Sequence, residues 1–277
     1  MKMEKLSFHV LFCSFFCAFL LVSWPAMSQE VENQKEFDYN NKGKKGPAHW
    51  GDLKREWHNC KNGRMQSPID LLNRRVRIVS HFTDLKINYK PSNATLKNRG
   101  HDIMLKWGGK AGHMEVNGTR YFLRQIHWHS PSEHTINGRR FALEAHLVHQ
   151  SQTGKVAVIG ILYNIGRRDY FLSRMKQHLE EISHTKKHKV LNVVNPSLLK
   201  MRSSLYYRYI GSLTVPPCSQ NVLWTLVRKI RTVAPEQVKL LRVAVHDDSN
   251  TNARPLQPLN NRNIQLRIKS NIDGGEE

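Results

Sequence analysis

Gln125-Ile126-His127-Trp128-His129, followed by Glu144-Ala145-His146-Leu147-Val148-His149, is the stretch that decides how this chain is read. Both segments read as β-strands. On a strand, residues two apart leave the same face, so Gln125, His127 and His129 line up together. A second strand carrying His146 can bring in a third imidazole. Three histidines leave one open position on a tetrahedral zinc ion, which is the layout of a catalytic site; structural sites are closed by four protein ligands. An isolated H-x-H pair is common by chance, and its weight here comes from the strand context.

Working outward, short β-type runs recur at 102–107, 121–129, 141–149 and 156–163, with turn residues such as Asn137-Gly138 between them. That is the pattern of a strand-rich fold. Helical periodicity is weaker: 172–182 is one candidate and 235–241 another, the latter with Pro235 suited to a first helical turn. From 47 to 268 no Gly/Ser linker, repeat or low-complexity tract interrupts the chain, which predicts one domain followed by a tail at 269–277. Residues 29–46 are polar and lack apolar periodicity, and they read as a flexible leader. His178, His184 and His188 form a second histidine group. Their spacing does not place all three on one helix face, and lysines are interleaved, so they read as a surface segment.

At the N-terminus, Lys2 and Lys5 precede an apolar run over 10–22, and Ala26-Met27-Ser28 then offers small residues where a signal peptidase reads. Residues 1–28 are expected to be a secretory signal peptide, cleaved after Ser28. The apolar run is short for a retained membrane anchor. Cys13 and Cys17 leave with the signal, so only Cys60 and Cys218 remain, and two cysteines in an oxidising compartment suggest one disulfide. Two buried free thiols are the alternative. Asn93-Ala94-Thr95 and Asn117-Gly118-Thr119 are acceptors for N-glycosylation; Asn195-Pro196-Ser197 is excluded by its proline.

The full chain carries a net charge of +21. Its basic residues are spread in small clusters, such as Lys42, Lys44 and Lys45, or Arg228, Lys229 and Arg231. No zinc-finger, recognition-helix or aromatic-basic motif accompanies them, which argues against a specific nucleic-acid partner. A solvated surface is the default reading, with loose attraction to polyanions as its functional alternative.

The stretch from Gln125 to His149, with Ser132-Glu133-His134-Thr135 inside it, resembles the α-class carbonic anhydrases. So do Gln66-Ser67-Pro68-Ile69-Asp70, Gly211-Ser212-Leu213-Thr214-Val215-Pro216-Pro217-Cys218 and Asn252-Ala253-Arg254-Pro255-Leu256-Gln257-Pro258. These blocks stand in the family's order from about Trp50 to Pro258. The wording of Lys97-Asn98-Arg99-Gly100-His101-Asp102-Ile103-Met104 is similar to the plant branch in particular.

The resemblance implies a mainly β fold, one large twisted and mostly antiparallel sheet with short peripheral helices. It implies reversible hydration of carbon dioxide to bicarbonate by a Zn2+ ion on His127, His129 and His146. Metal-bound imidazoles need their other nitrogen held by an acceptor. Gln125 would serve His127, Glu144 would serve His146, and the backbone carbonyl of Asn252 would serve His129. Thr214 and Glu133 match the pair that orients the zinc-bound nucleophile, with the threonine hydroxyl donating to the glutamate. Val148, Val158, Leu213 and Trp224 match the apolar lining for carbon dioxide, and His101 matches the histidine that shuttles protons to solvent. Arg99 and Met104 stand where asparagine is frequent in the family, and Val215 where a second threonine is common. Many members also bridge cysteines at the places of Cys60 and Cys218. A non-catalytic storage or binding protein on the same fold is the competing implication. The signal predicts secretion, with the chloroplast stroma reached through the secretory route as the alternative for plant members; the sequence fixes no oligomeric state.

Overall fold

β-Branched and aromatic residues fill the runs that pair into strands, where their side chains pack well on a pleated surface. The computed structural model describes residue 30 and residues 36–79, 85–183, 188–201, 205–243 and 251–267. Ten strands form the continuous path of one large sheet. In chain order they are β1 (Val76–Val79), β2 (Ser92–Asn98), β3 (Ile103–Trp107), β4 (Thr119–His129), β5 (Leu143–Ser151), β6 (Val156–Ile165), β7 (His188–Val194), β8 (Tyr206–Ser212), β9 (Gln220–Val227) and β10 (Ile264–Arg267). Across the sheet they run β7-β2-β3-β4-β5-β6-β9-β8-β10-β1. Neighbours are antiparallel except for β6 with β9 and β10 with β1. The expected mainly β architecture, dominated by one large and mostly antiparallel sheet with few helices, is what forms, and a small three-stranded sheet through Asp70–Leu71, Thr135–Ile136 and Arg139–Arg140 accompanies it.

The sheet has two different faces. On β5, Leu143, Ala145 and Leu147 enter a large apolar core, whereas Glu144, His146 and Val148 point the other way. Helix α1 (Tyr170–Ser183) covers the core face. Its Phe171, Leu172, Met175, Leu179 and Ile182 recur at helical spacing and are buried there. Each such side chain contributes about 1.5–3 kcal/mol by leaving water. Asp169 caps the helix by accepting from the Leu172 N–H at 2.9 Å. Helix α2 (Pro235–Val243) docks beside it, and the Gln237 amide accepts from the Asp169 N–H and donates to its carbonyl.

A register shift between β4 and β5 sorts the side chains. Val148 pairs with Gln125 but His149 pairs with Leu123, so Arg124 is an extra, bulged residue. Without that bulge Leu123 would share a face with Gln125. With it, Leu123 joins the core while Gln125, His127 and His129 stay on the opposite side.

His149 ends up buried on the core side, its Nε2 within 2.8 Å of the Tyr89 hydroxyl. Burial pushes its pKa from 6.5 down to about 3. Below pH 6.5 the unfolded chain therefore takes up a proton that the folded chain refuses, and stability falls by up to about 1.4 kcal/mol per pH unit from this group. His149→Gln is expected to flatten that acid-side loss in urea unfolding curves followed from neutral to acid pH. An unchanged slope would refute the assignment.

Residues 36–46 of the segment expected as a flexible leader pack against the domain. Phe37 and Tyr39 are buried with Trp50 and Trp57 in an aromatic cluster, and the Trp50 indole N–H donates to the carbonyls of Asp38 and Lys45. Two aromatics two residues apart carry no helical or long strand period, so their packing could not be read as an element. The same cluster encloses the disulfide between Cys60 and Cys218. Asn93, on β2, and Asn117, at a hairpin tip with a left-handed backbone (φ 49°), are both exposed. The expected signal peptide with Cys13 and Cys17, the tail at 269–277 and His184 lie outside the described residues. His178 sits on α1 and His188 begins β7, and neither joins a potential metal-binding group among the described residues.

Candidate metal centre

The β4–β5 pairing sets His127 opposite His146, His129 opposite Glu144 and Gln125 opposite Val148, all on one face. The three imidazoles converge, with ring centroids 5.0, 5.2 and 4.6 Å apart. One nitrogen from each lies within 4.8 Å of the others, and all three residues are buried. On the next strand Gly160 faces His146. A Cβ there would stand 2.2 Å from Leu226 Cδ1 and 3.1 Å from a Glu144 carboxylate oxygen, so glycine is what allows the carboxylate its place.

Each ring has one nitrogen already engaged. His127 Nδ1 meets Gln125 Oε1 at 2.8 Å, His129 Nδ1 meets the Asn252 carbonyl at 2.6 Å, and His146 Nε2 meets Glu144 Oε1 at 2.8 Å. These holders are themselves held. Asn252 donates its amide to the carbonyls of His101 and Trp128 and accepts from the Ser130 N–H. Glu144 Oε2 accepts from the N–H groups of Glu133 and His134, and Oε1 also meets His134 Nδ1 at 2.7 Å. His134 Nε2 continues to the Tyr209 hydroxyl, which pairs with Ser67.

The nitrogens left over are His127 Nε2, His129 Nε2 and His146 Nδ1. His129 Nε2 is buried with no hydrogen-bond partner, which a folded protein tolerates at a cost unless something occupies that point. Burial lowers the pKa of His127 far below its ordinary value and that of His129 to about 3, keeping both neutral and able to donate a lone pair. Burial also opposes charge on His146, but the Glu144 carboxylate outweighs it and raises that pKa. The same contact makes His146 a stronger donor toward a cation. Burial raises Glu144 less than His134 and His146 lower it, so its carboxylate stays ionised. Three imidazoles, each oriented through its other nitrogen, fit a zinc ion with one position open.

Beside this trio stand Glu133 and Thr214. Glu133 is buried, its Oε1 accepts from the Arg254 N–H at 2.9 Å, its Oε2 has no hydrogen-bond partner, and the nearby Thr214 side chain helps to hold the carboxylate ionised. Burial raises its pKa to about 8, against the pull of His146, Thr214 and Arg254. A cation on the histidines would favour the carboxylate further. Arg254 is locked in turn by Gln66, Ser67 and Cys60. Val148, Val158 and Trp224 lie in a row across β5, β6 and β9, and Leu213 joins them in one apolar cluster. Trp224 stacks edgewise on His146 at 4.8 Å and turns its N–H away to the Ser212 carbonyl.

The wall beside Gln125 is polar. Arg99 donates Nε and Nη2 to the two oxygens of Asp102, at 2.7 and 2.5 Å. His101 next to it is fully buried, with Phe37 4.7 Å and Tyr39 6.5 Å from its ring, and burial lowers its pKa to about 4. Glu30 reaches this wall as well, hydrogen-bonded to Arg99 and Gln125.

Sequence reasoning did not assign roles to Glu30, Phe37, Tyr39, Asp102, His134, Gly160 or Arg254. His134 and Arg254 lie inside the motif blocks, and a histidine or arginine that must be buried was the available signal. Glu30 carried none.

The sequence profile of eukaryotic-type carbonic anhydrases matches residues 45–268. "Alpha carbonic anhydrase 7" of Arabidopsis thaliana is 54% identical over 261 residues, covering 93% of this chain and 95% of that one. A crystal structure of dioscorin complexed with ascorbate superposes with a TM-score of 0.83 at 44% identity, over 85% of this chain and 99% of that one. The α-carbonic anhydrase of Thermovibrio ammonificans, in complex with the inhibitor sulfanilamide, gives 0.72 at 34% identity over 83% and 98%. With profile, relatives and fold in agreement over nearly the whole chain, this protein belongs to the eukaryotic-type, α-class carbonic anhydrase family.

Proposed function

We propose that the protein catalyses the zinc-dependent, reversible hydration of carbon dioxide to bicarbonate and a proton. The observation that carries this reading is the convergence of three buried imidazole nitrogens beside the Thr214–Glu133 pair. Zinc bound to His127, His129 and His146 would supply a water of lowered pKa as the nucleophile. Thr214 has one hydroxyl proton, and giving it to Glu133, whose Oε2 has no other partner, would leave only lone pairs toward the histidines. The Thr214 oxygen would then accept from a donor at the open position and orient it toward the apolar wall. Val148, Val158, Leu213 and Trp224 offer carbon dioxide a surface without competing donors.

His101 is the proposed proton carrier. Its burial under Phe37 and Tyr39 and its lowered pKa both reduce its power to accept a proton near neutrality. His101→Ala is expected to slow steady-state turnover in dilute buffer, with zinc content unchanged and part of the rate restored by imidazole. Equal rates of mutant and wild type at low and high buffer would remove His101 from the proton path.

The similarity to a dioscorin that binds ascorbate favours one second reading, a non-catalytic binding protein on the same fold. It predicts no hydration activity at full zinc occupancy, so hydration kinetics on a metal-analysed sample separate the two. The disulfide and the predicted signal support a place in the secretory pathway, extracellular by default, and exposed Asn93 and Asn117 are available for glycosylation there.

A further inference from the structure

We propose that the polar group of side chains around Arg99 is a carboxylate-binding subsite, with Arg99 Nη1 and Gln125 Nε2 as its donors and the Glu30 side chain as its resident ligand. The guanidinium of Arg99 is only 2% exposed, and its Nε and Nη2 edge is committed to Asp102. That leaves Nη1, which donates to Glu30 Oε2 at 2.9 Å. The Gln125 amide cannot turn round, because its Oε1 is held by His127. Its Nε2 therefore points away from His127 and donates to the same Glu30 oxygen at 3.1 Å.

Two fixed N–H donors, one charged, thus converge on one point from the β2–β3 connection and from β4. Charge-assisted bonds of this kind suit a carboxylate, while a cation or an apolar group would leave buried donors unpaired. Asp102 already balances the charge of Arg99, so the pull on a second carboxylate comes from aimed N–H groups. That selects small, singly charged carboxylates rather than polyanions. Glu30 lies far outside the sheet in sequence and enters the wall as a tethered ligand, competing with free carboxylates at an effective concentration on the order of millimolar. Arg99 is also one of the positions where this chain departs from the family's frequent asparagine, which has no charged fork to offer.

Acetate titrated into the secreted, metal-analysed protein tests this, with the side-chain amide resonance of Gln125 as the local readout. Glu30→Gln is expected to bind acetate about tenfold more tightly than wild type, with a shift of the Gln125 amide. Adding Arg99→Gln to that variant should abolish the gain; if the double variant fails to fold by circular dichroism, the Gln125 shift in Glu30→Gln alone decides. Acetate that bound the metal and not the wall would show equal affinity in wild type and Glu30→Gln, and that result overturns the proposal. So does a mature N-terminus, read by mass spectrometry, that begins after Glu30. Neither outcome bears on hydration activity, which the titration does not measure.

Discussion

His127→Ala is expected to purify with little zinc and to lose nearly all hydration activity while keeping its fold. His127 is the middle of the trio, opposite His146 on the paired strand and two residues from His129. Removing it leaves two imidazoles, too few to hold an open tetrahedral site. Loss of an outer partner alone typically costs about 10–100-fold in metal affinity, so loss of a ligand costs more. Gln125→Ala, which frees His127 Nδ1, should fall between this variant and wild type. Full activity of zinc-replete His127→Ala would overturn the ligand assignment.

The second large effect concerns stability. Cys60 and Cys218 are 158 residues apart in sequence. A bridge closing so long a loop is worth about 5 kcal/mol in the chain-entropy model, and removing a native disulfide commonly costs about 2–5 kcal/mol. Reduction of the bridge should lower the melting temperature by about 10 °C for a domain of this size. Activity should suffer too. Cys218 donates its N–H to the Val215 carbonyl, closing the turn that directly follows Thr214, and Cys60 offers its carbonyl to Arg254. Calorimetry with and without reductant checks this, and an unchanged melting temperature would contradict it.

The face of the sheet that carries the histidines was legible because period-two spacing is a local property of the chain. The strands at β4, β5 and β6 and both helices lie where the sequence puts them, with ends displaced by a few residues. The bulge at Arg124 was not legible, because it depends on how β5 pairs with β4. The order of Phe37 and Tyr39 was hidden for a similar reason: their partners Trp50, Trp57 and Val215 come from distant segments. Asn252 could be matched for its carbonyl, yet its side chain also clamps three backbone groups on two other segments. The burial of His101 follows from those same distant aromatics.

The most direct test of the central claim is stopped-flow hydration of carbon dioxide by secreted protein whose zinc has been counted by metal analysis. One zinc per chain is expected, with hydration far above the uncatalysed rate that a zinc-binding sulfonamide blocks. One zinc per chain with no hydration above background would contradict it and leave the fold as a binding scaffold.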